Sequence, residues 1–184
     1  DVRVWTNVGD AHIGFFASAE AIADAKAEIL ERARPTDVLV CNADDDRIVR
    51  RVRGFSGRTV TFGESAGATV RATRIEDLGL NGMRAHVTTP DGDAVIATPL
   101  LGRGNLANVL AATAVAIQFG VTLEKIAARA GQLHAPERRG AVHQLRGNVV
   151  LVDDSYNSSP SALKRSLEVI GHEGGRRKIA VLGE

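Results

Sequence analysis

The sequence is poor in several residue types, and each shortage excludes something. One cysteine, one tryptophan, one tyrosine and one methionine occur in 184 residues. A single cysteine, Cys41, rules out an internal disulfide and suits a reducing compartment. With five phenylalanines beside the Trp and the Tyr, there is no aromatic platform for stacking single-stranded nucleic acid. Excess charge of one sign is missing too. Lys and Arg number 23, Asp and Glu 22, for a net charge of +1. Nothing here draws the chain to a polyanion, and no nucleic-acid partner is expected. No apolar run is long enough for a membrane span. Lysine is confined to Lys26, Lys125, Lys164 and Lys178. None of them follows a glycine-rich run, so there is no GxxxxGK-S/T phosphate loop. "GRGNLAN" does not match the dinucleotide fingerprint GxGxxG, and neither GxSxG nor HExxH occurs. Five scattered histidines and one cysteine offer no zinc ligand set.

What remains is an ordinary globular balance, 44% hydrophobic and 24% charged, enough for one large domain or one domain plus part of another. "VRVWTNV" (2–8) is a strand candidate rather than a targeting signal. "SAEAIADAKAEILERAR" (18–34) reads as a helix with Ser18 as N-cap and Ile22, Ala25, Ile29 and Ala33 on one face. Pro35 stops it. "DVLVCN" (37–42) is the continuous apolar run of a strand buried on both faces. "ADDDRIVRRVRG" predicts a short helix ending near Gly54, with its acids at the positive end. "RTVTFG" follows as a strand. This alternation argues for an α/β fold with a mostly parallel sheet and flanking helices. "ATVRATRIEDLG", "GMRAHVTTPDG" and "DAVIATPLLG" then read as a small antiparallel meander attached to it, with a hairpin turn at "PDGD". Helices are expected over 105–120, nearly all apolar, and over 122–133, with Thr122 as N-cap.

After the polar break "PERRG" (136–140), "AVHQLRGNVVLVDD" predicts two strands around a turn at Gly147–Asn148. A helix follows from Pro160, a favoured first-turn residue, to Gly171, and then a strand, "KIAVLG" (178–183). This unit resembles the opening of a second α/β domain, with the boundary near 134–140. The chain opens inside a strand pattern and closes on another, so it reads as an excerpt of a longer protein.

Four polar groups are candidates for chemistry, and each has a plainer reading. Asn7, Asp10 and His12 follow the first strand, where α/β proteins place ligands. His12 can ligate a divalent cation, although local composition favours a simple loop histidine. Lys26 lies mid-helix among alanines, where a solvated lysine is the usual case. If burial lowered its pKa, the neutral amine could take up carbon dioxide and offer a carbamate oxygen to a hard cation. Asn105 and Asn108 lie three apart on one helix face. An amide can read an adenine edge, and helix capping by Asn105 accounts for it about equally well. Arg138 and Arg139 stand at the break, as a solvated pair or as phosphate ligands. All four groups fall at strand ends, helix starts or the break, as expected of a nucleotide cleft between two α/β domains.

"TNVGDAHIGFFASAEAIADAKAEIL", "CNADDD", "LLGRGNLANVLAATAVAIQFGVTLEKIA" and "VVLVDDSYNSSPSAL" occur in the order seen in the Mur ligases, and the chain resembles that family over its whole length. The resemblance implies part of a Mur ligase central ATP-binding domain over 1–135. It also implies the first strand, helix and strand of a Rossmann-like C-terminal domain over 136–184. The "DDSYN" block is most similar to the branch that joins D-alanyl-D-alanine to UDP-N-acetylmuramoyl-tripeptide in bacterial cell-wall synthesis. The implied location is the cytoplasm. The implied cofactors are ATP and Mg2+. The substrate carboxylate would take the γ-phosphoryl group to give an acyl phosphate and ADP, and the incoming amine would then displace phosphate. By the same resemblance, His12 and a carbamylated Lys26 belong to the metal. Asn105, Asn108, Arg139, Asp154, Tyr156 and Asn157 belong to the nucleotide. The catalytic glutamate and the phosphate loop are expected upstream, so no catalytic residue is assigned within the chain, and the segment alone is expected to be inactive. Gly104 departs from the pattern, standing where most members have His. Other readings are a folylpolyglutamate or cyanophycin synthetase relative and a non-catalytic domain that keeps the fold for binding.

Overall fold

The computed structural model of the protein describes residues 1–9, 16–171, 174–175 and 177–183. Its first half is a strand–helix alternation. Strand β1 (Val2–Trp5) leads to helix α1 (Ala19–Lys26), β2 (Val38–Asn42), α2 (Asp46–Val52) and β3 (Arg58–Gly63). The three strands are parallel and in sequence order, with Val4 beside Val40 and Val40 beside Val60. β2 is the expected doubly buried strand. Leu39 and Cys41 pack with Trp5, Val8, Ile22, Ala23 and Ile48 on one face, while Val40 joins the larger cluster on the other. Burial pushes the Cys41 thiol up to about 11, which keeps it protonated and unreactive at neutral pH.

The meander is formed by β4 (Val70–Asp77), β5 (Met83–Thr89) and β6 (Gly92–Thr98). It is not an appendage. It continues the parallel sheet into one six-stranded sheet of order β1-β2-β3-β4-β5-β6. The join is a short parallel overlap, Phe62 beside Val70 and Gly63 beside Arg71. Parallel neighbours ordinarily need a long crossover, but β4 starts where β3 ends, so a short loop suffices. Thr61 and Thr69 extend the overlap, each hydroxyl accepting the other's backbone N–H at 3.2 and 2.9 Å. Along β5 burial alternates strictly from Met83 to Val87, and Val95 of β6 is exposed. One face of this half is therefore covered and the other is open, as antiparallel strands allow.

The covering helices are α3 (Gly102–Gln118) and α4 (Leu123–Ala130). Leu106, Val109, Leu110 and Ala114 of α3 pack with Leu123, Ile126 and Ala130 of α4 over Phe62, Met83, Val87 and Ile96. Each large side chain buried this way contributes about 1.5–3 kcal/mol relative to exposure. Helix α3 begins at Gly102 rather than at Asn105, and α4 ends at Ala130 rather than at Leu133. Thr122 holds the N-cap position of α4, but its side chain makes no cap bond. Among the described residues no helix is long and apolar enough to cross a membrane.

Two other expectations are corrected. Helix α1 stops at Lys26 and passes into a 3-10 turn, Ala27–Leu30, well short of residue 34. Past this point the chain is held by Arg3 on β1, whose guanidinium donates to the carbonyls of Ile29 (2.6 Å), Glu31 (3.1 Å) and Arg32 (3.3 Å); of these, a helix continuing to residue 34 would have engaged only the Ile29 carbonyl. The second is "KIAVLG", which forms no strand. No strand pairs with it, and Ile179, Val181 and Leu182 are 68, 91 and 64% exposed. The strands β7 (Ala141–Leu145) and β8 (Val149–Asp153) do form the expected antiparallel hairpin around Gly147 and Asn148, both at positive φ. Helix α5 runs from Pro160 to Gly171 as expected, with Ser159 Oγ accepting the Ala162 N–H at 3.3 Å.

Candidate functional site

The carboxyl ends of β1, β2 and β3 are knitted together by the "CNADDD" residues. Asn42 donates from Nδ2 to the Thr6 carbonyl at 3.0 Å and accepts the Asp44 N–H at 2.8 Å. Asp45 accepts the Arg47 N–H at 3.1 Å, capping α2, and the Val8 N–H at 2.7 Å. Asp44 takes the backbone N–H groups of Glu64 and Ser65 at 2.7 and 2.8 Å and the Ser65 hydroxyl. Gly63 makes this possible, because at φ +150° a Cβ there would overlap the Asp44 carboxylate. Glu64 in turn pairs with Arg103 at 2.7 Å, in the first turn of α3. Charge near a helix start accounts for only part of what these aspartates do. Their Asx geometry was the available signal.

Lys26 reaches the same edge. Its Nζ donates to the Asn7 carbonyl at 2.9 Å, and the residue is exposed. Asp10 and His12 lie outside the described residues. Among the described residues no group of three His, Cys, Asp or Glu is placed to hold a metal.

On α3, Asn105 is not an N-cap. It sits inside the first turn, where Nδ2 donates to the Leu101 carbonyl at 2.9 Å, and Asn108 donates to Asn105 Oδ1 at 3.4 Å. The two amides do share a face. At the break, the Arg139 guanidinium lies 4.0 Å over the Tyr156 ring, and Tyr156 is 60% exposed. The backbone ties the two loops: Tyr156 N–H donates to Arg138 at 3.0 Å and Gly140 N–H to Asp153 at 2.9 Å. Asp154 is the acceptor of a short bond from Ser166 of α5. Asn157 accepts the Ser158 N–H at 3.1 Å, a local turn contact. The side chain and backbone of Ser155 hold the Asp153 carboxyl below its ordinary value.

Helix α5 joins this loop to the start of α3. Val169 is buried, and its Cγ2 lies 3.1 Å from where a Cβ of Gly102, at φ +76°, would stand. The Arg165 side chain runs beside Gly104, with Nε 3.8 Å from its Cβ position. The space a side chain at 104 would enter is thus already bordered by an arginine. Asn105, Asn108, Arg139 and Tyr156 offer amide, guanidinium and aromatic groups of the kind a nucleotide takes, whereas a phosphate loop is not among these residues.

Comparison with known proteins gives the family of this fold. Residues 1–116 match the Mur ligase middle domain. A UDP-N-acetylmuramoyl-tripeptide–D-alanyl-D-alanine ligase of Synechocystis is 32% identical over 97% of this chain and 37% of its own length. A UDP-N-acetylmuramoyl-L-alanyl-D-glutamate–2,6-diaminopimelate ligase of Geobacter sulfurreducens is 31% identical over 100% of this chain and 37% of its own length. The chain thus spans little more than a third of these relatives. The crystal structure of MurF from Acinetobacter baumannii superposes with a TM-score of 0.86 at 30% identity, covering 95% of this chain and 38% of that one. MurF from Thermotoga maritima in complex with ADP gives 0.81 at 27% identity, covering 95% and 40%. By sequence and by fold, this chain belongs to the Mur ligase family.

Proposed function

We propose that the chain is the adenine-side and junction part of an ATP-dependent amide-bond ligase that adds D-alanyl-D-alanine to UDP-N-acetylmuramoyl-tripeptide. The observation that carries the reading is the junction. Arg139 stacks on Tyr156, the Asp154 loop is tied to α5, and α5 rests on the glycine start of α3 that bears Asn105 and Asn108. Helix α5, from beyond the break, thereby meets one end of α3. In this reading residues 1–135 belong to the central domain and 136–184 to the C-terminal domain, and the protein works in the bacterial cytoplasm. Asn105 and Asn108 hold the base, Arg139 and Asp154 orient the nucleotide, and Tyr156 fixes the Arg139 guanidinium by cation–π contact. Asn157 shapes the same loop. ATP supplies the phosphoryl group that activates the substrate carboxylate. His12 and Lys26 are the residues that would face Mg2+, which offsets the charge gathered there.

A diaminopimelate-adding ligase is the second reading, favoured by the Geobacter relative. The "DDSYN" block supports the first. The test is ADP release by the full-length polypeptide with D-alanyl-D-alanine, meso-diaminopimelate or glutamate as the amine. Preference for D-alanyl-D-alanine is expected, and turnover with an acidic amino acid alone would overturn the assignment. In the same assay Arg139→Ala is expected to raise the KM for ATP about tenfold, the effect of losing a charged contact.

A further inference from the structure

Two residues one helical turn apart on α5 face the first turn of α3. Val169 rests on Gly102, and the Arg165 side chain runs beside Gly104, with Nε 3.8 Å and Cδ 3.9 Å from the Cβ position there. The missing side chain at 104 leaves a notch, and the apolar stem of Arg165 lies along it. Gly104 stands one turn before Asn108 and shares its helix face. Arg165 thus comes from α5 to the face of α3 that bears Asn108, itself bonded to Asn105. Neighbouring cations are engaged: Arg103 pairs with Glu64 at 2.7 Å, Arg139 lies over Tyr156, and Lys164 has Glu168 at 3.9 Å. Arg165 is exposed, and among the described residues it has no hydrogen bond or ion pair.

We propose that Arg165 is a nucleotide-contacting residue, its guanidinium packing against the adenine ring whose edge Asn105 and Asn108 read. The chemistry suits the group. A guanidinium is planar and weakly hydrated and stacks on aromatic faces, whereas an ammonium is a compact, strongly hydrated charge. An amide reads the edge of a base by donating and accepting at once, which leaves the ring face to a different partner. Gly104 then has a reason to be small, because a longer side chain would enter the space that Arg165 occupies. The proposal rests on the ATP-dependent ligase reading and adds to it a residue on α5, beyond the break.

Calorimetric titration of ATP into the full-length polypeptide tests the proposal. Arg165→Met keeps the stem beside Gly104 and should weaken ATP binding about fivefold, the scale of one cation–π contact. Arg165→Lys should weaken it as much, because the charge remains and the plane is lost. Lys164→Met, one residue away, should bind ATP as the unmodified protein does. Thermal unfolding without nucleotide should be the same in all of them, which separates a ligand contact from a structural part. Unchanged ATP affinity in Arg165→Met would overturn the proposal. Full rescue by Arg165→Lys would overturn it too, since a charge on a phosphate would then account for the contact. A lowered unfolding midpoint in Arg165→Met would do the same, since weaker binding would then follow from a loosened α5. Intact ATP binding with no preference for D-alanyl-D-alanine would overturn the substrate assignment and leave Arg165 to be decided by its own variants. An unmodified polypeptide that binds no ATP would overturn both.

Discussion

Asp37 shows what one residue can hold. It is fully buried at the start of β2. It accepts the Arg34 N–H at 3.1 Å and pairs with Arg3 and Arg34. The Arg34 backbone bond, with the Arg34 charge beside it, holds its carboxyl below the ordinary value. A carboxylate depressed in the folded state contributes stability that is fully present above its unfolded pKa of about 3.9. That contribution is lost as pH falls from there toward the folded value. Urea unfolding from pH 7 to pH 2 should therefore show a declining midpoint for the unmodified protein. Asp37→Asn should start lower at pH 7 and decline less steeply in the acid range. Parallel curves would refute the role.

At the scale of elements, α1 and the 3-10 turn after it show two kinds of control. The start is local: Ser18 Oγ accepts the Ala21 N–H at 3.1 Å, as the sequence suggested. Past its end the contacts are remote: Arg3 takes the carbonyls of Ile29, Glu31 and Arg32. Arg3→Met should cost about 2 kcal/mol, the scale of hydrogen bonds to a charged donor. Combined with Asp37→Asn it should cost less than the sum of the two, since Arg3 also bonds Asp37 at 3.2 Å. A double-mutant cycle in denaturant checks both values, and strict additivity would separate the two residues.

The whole molecule depends on how α5 meets the large sheet unit. Val169 is its one buried residue and rests on Gly102. Val169→Ser should remove about 1–2 kcal/mol of packing and loosen the helix alone. Hydrogen exchange should then show lower protection across Pro160–Gly171 with β2 and β5 unchanged. Unaltered protection in α5 would mean that the seat on α3 does not hold it. The same seat bears on Gly104, where Arg165 borders the space that a larger residue would need.

The strands of the parallel half, the Ser18 cap, the hairpin turn at Gly147 and the span Pro160–Gly171 were legible in the sequence, because each follows from backbone and side-chain preferences acting over a few residues. The sequence also carried the ordered blocks that mark the Mur ligases. Packing settled that the meander is continuous with the parallel sheet, since the Phe62–Val70 and Gly63–Arg71 pairings are too short to leave a pattern. It alone decided what holds the chain past α1 and what the "CNADDD" aspartates hold. Those outcomes depend on Arg3, Asn42, Asp44 and Asp45 reaching backbone groups far from them in sequence or across a turn. A hydrogen bond across such a span leaves no periodicity in the chain; it exists only once the strands have brought donor and acceptor within 3 Å or so of each other.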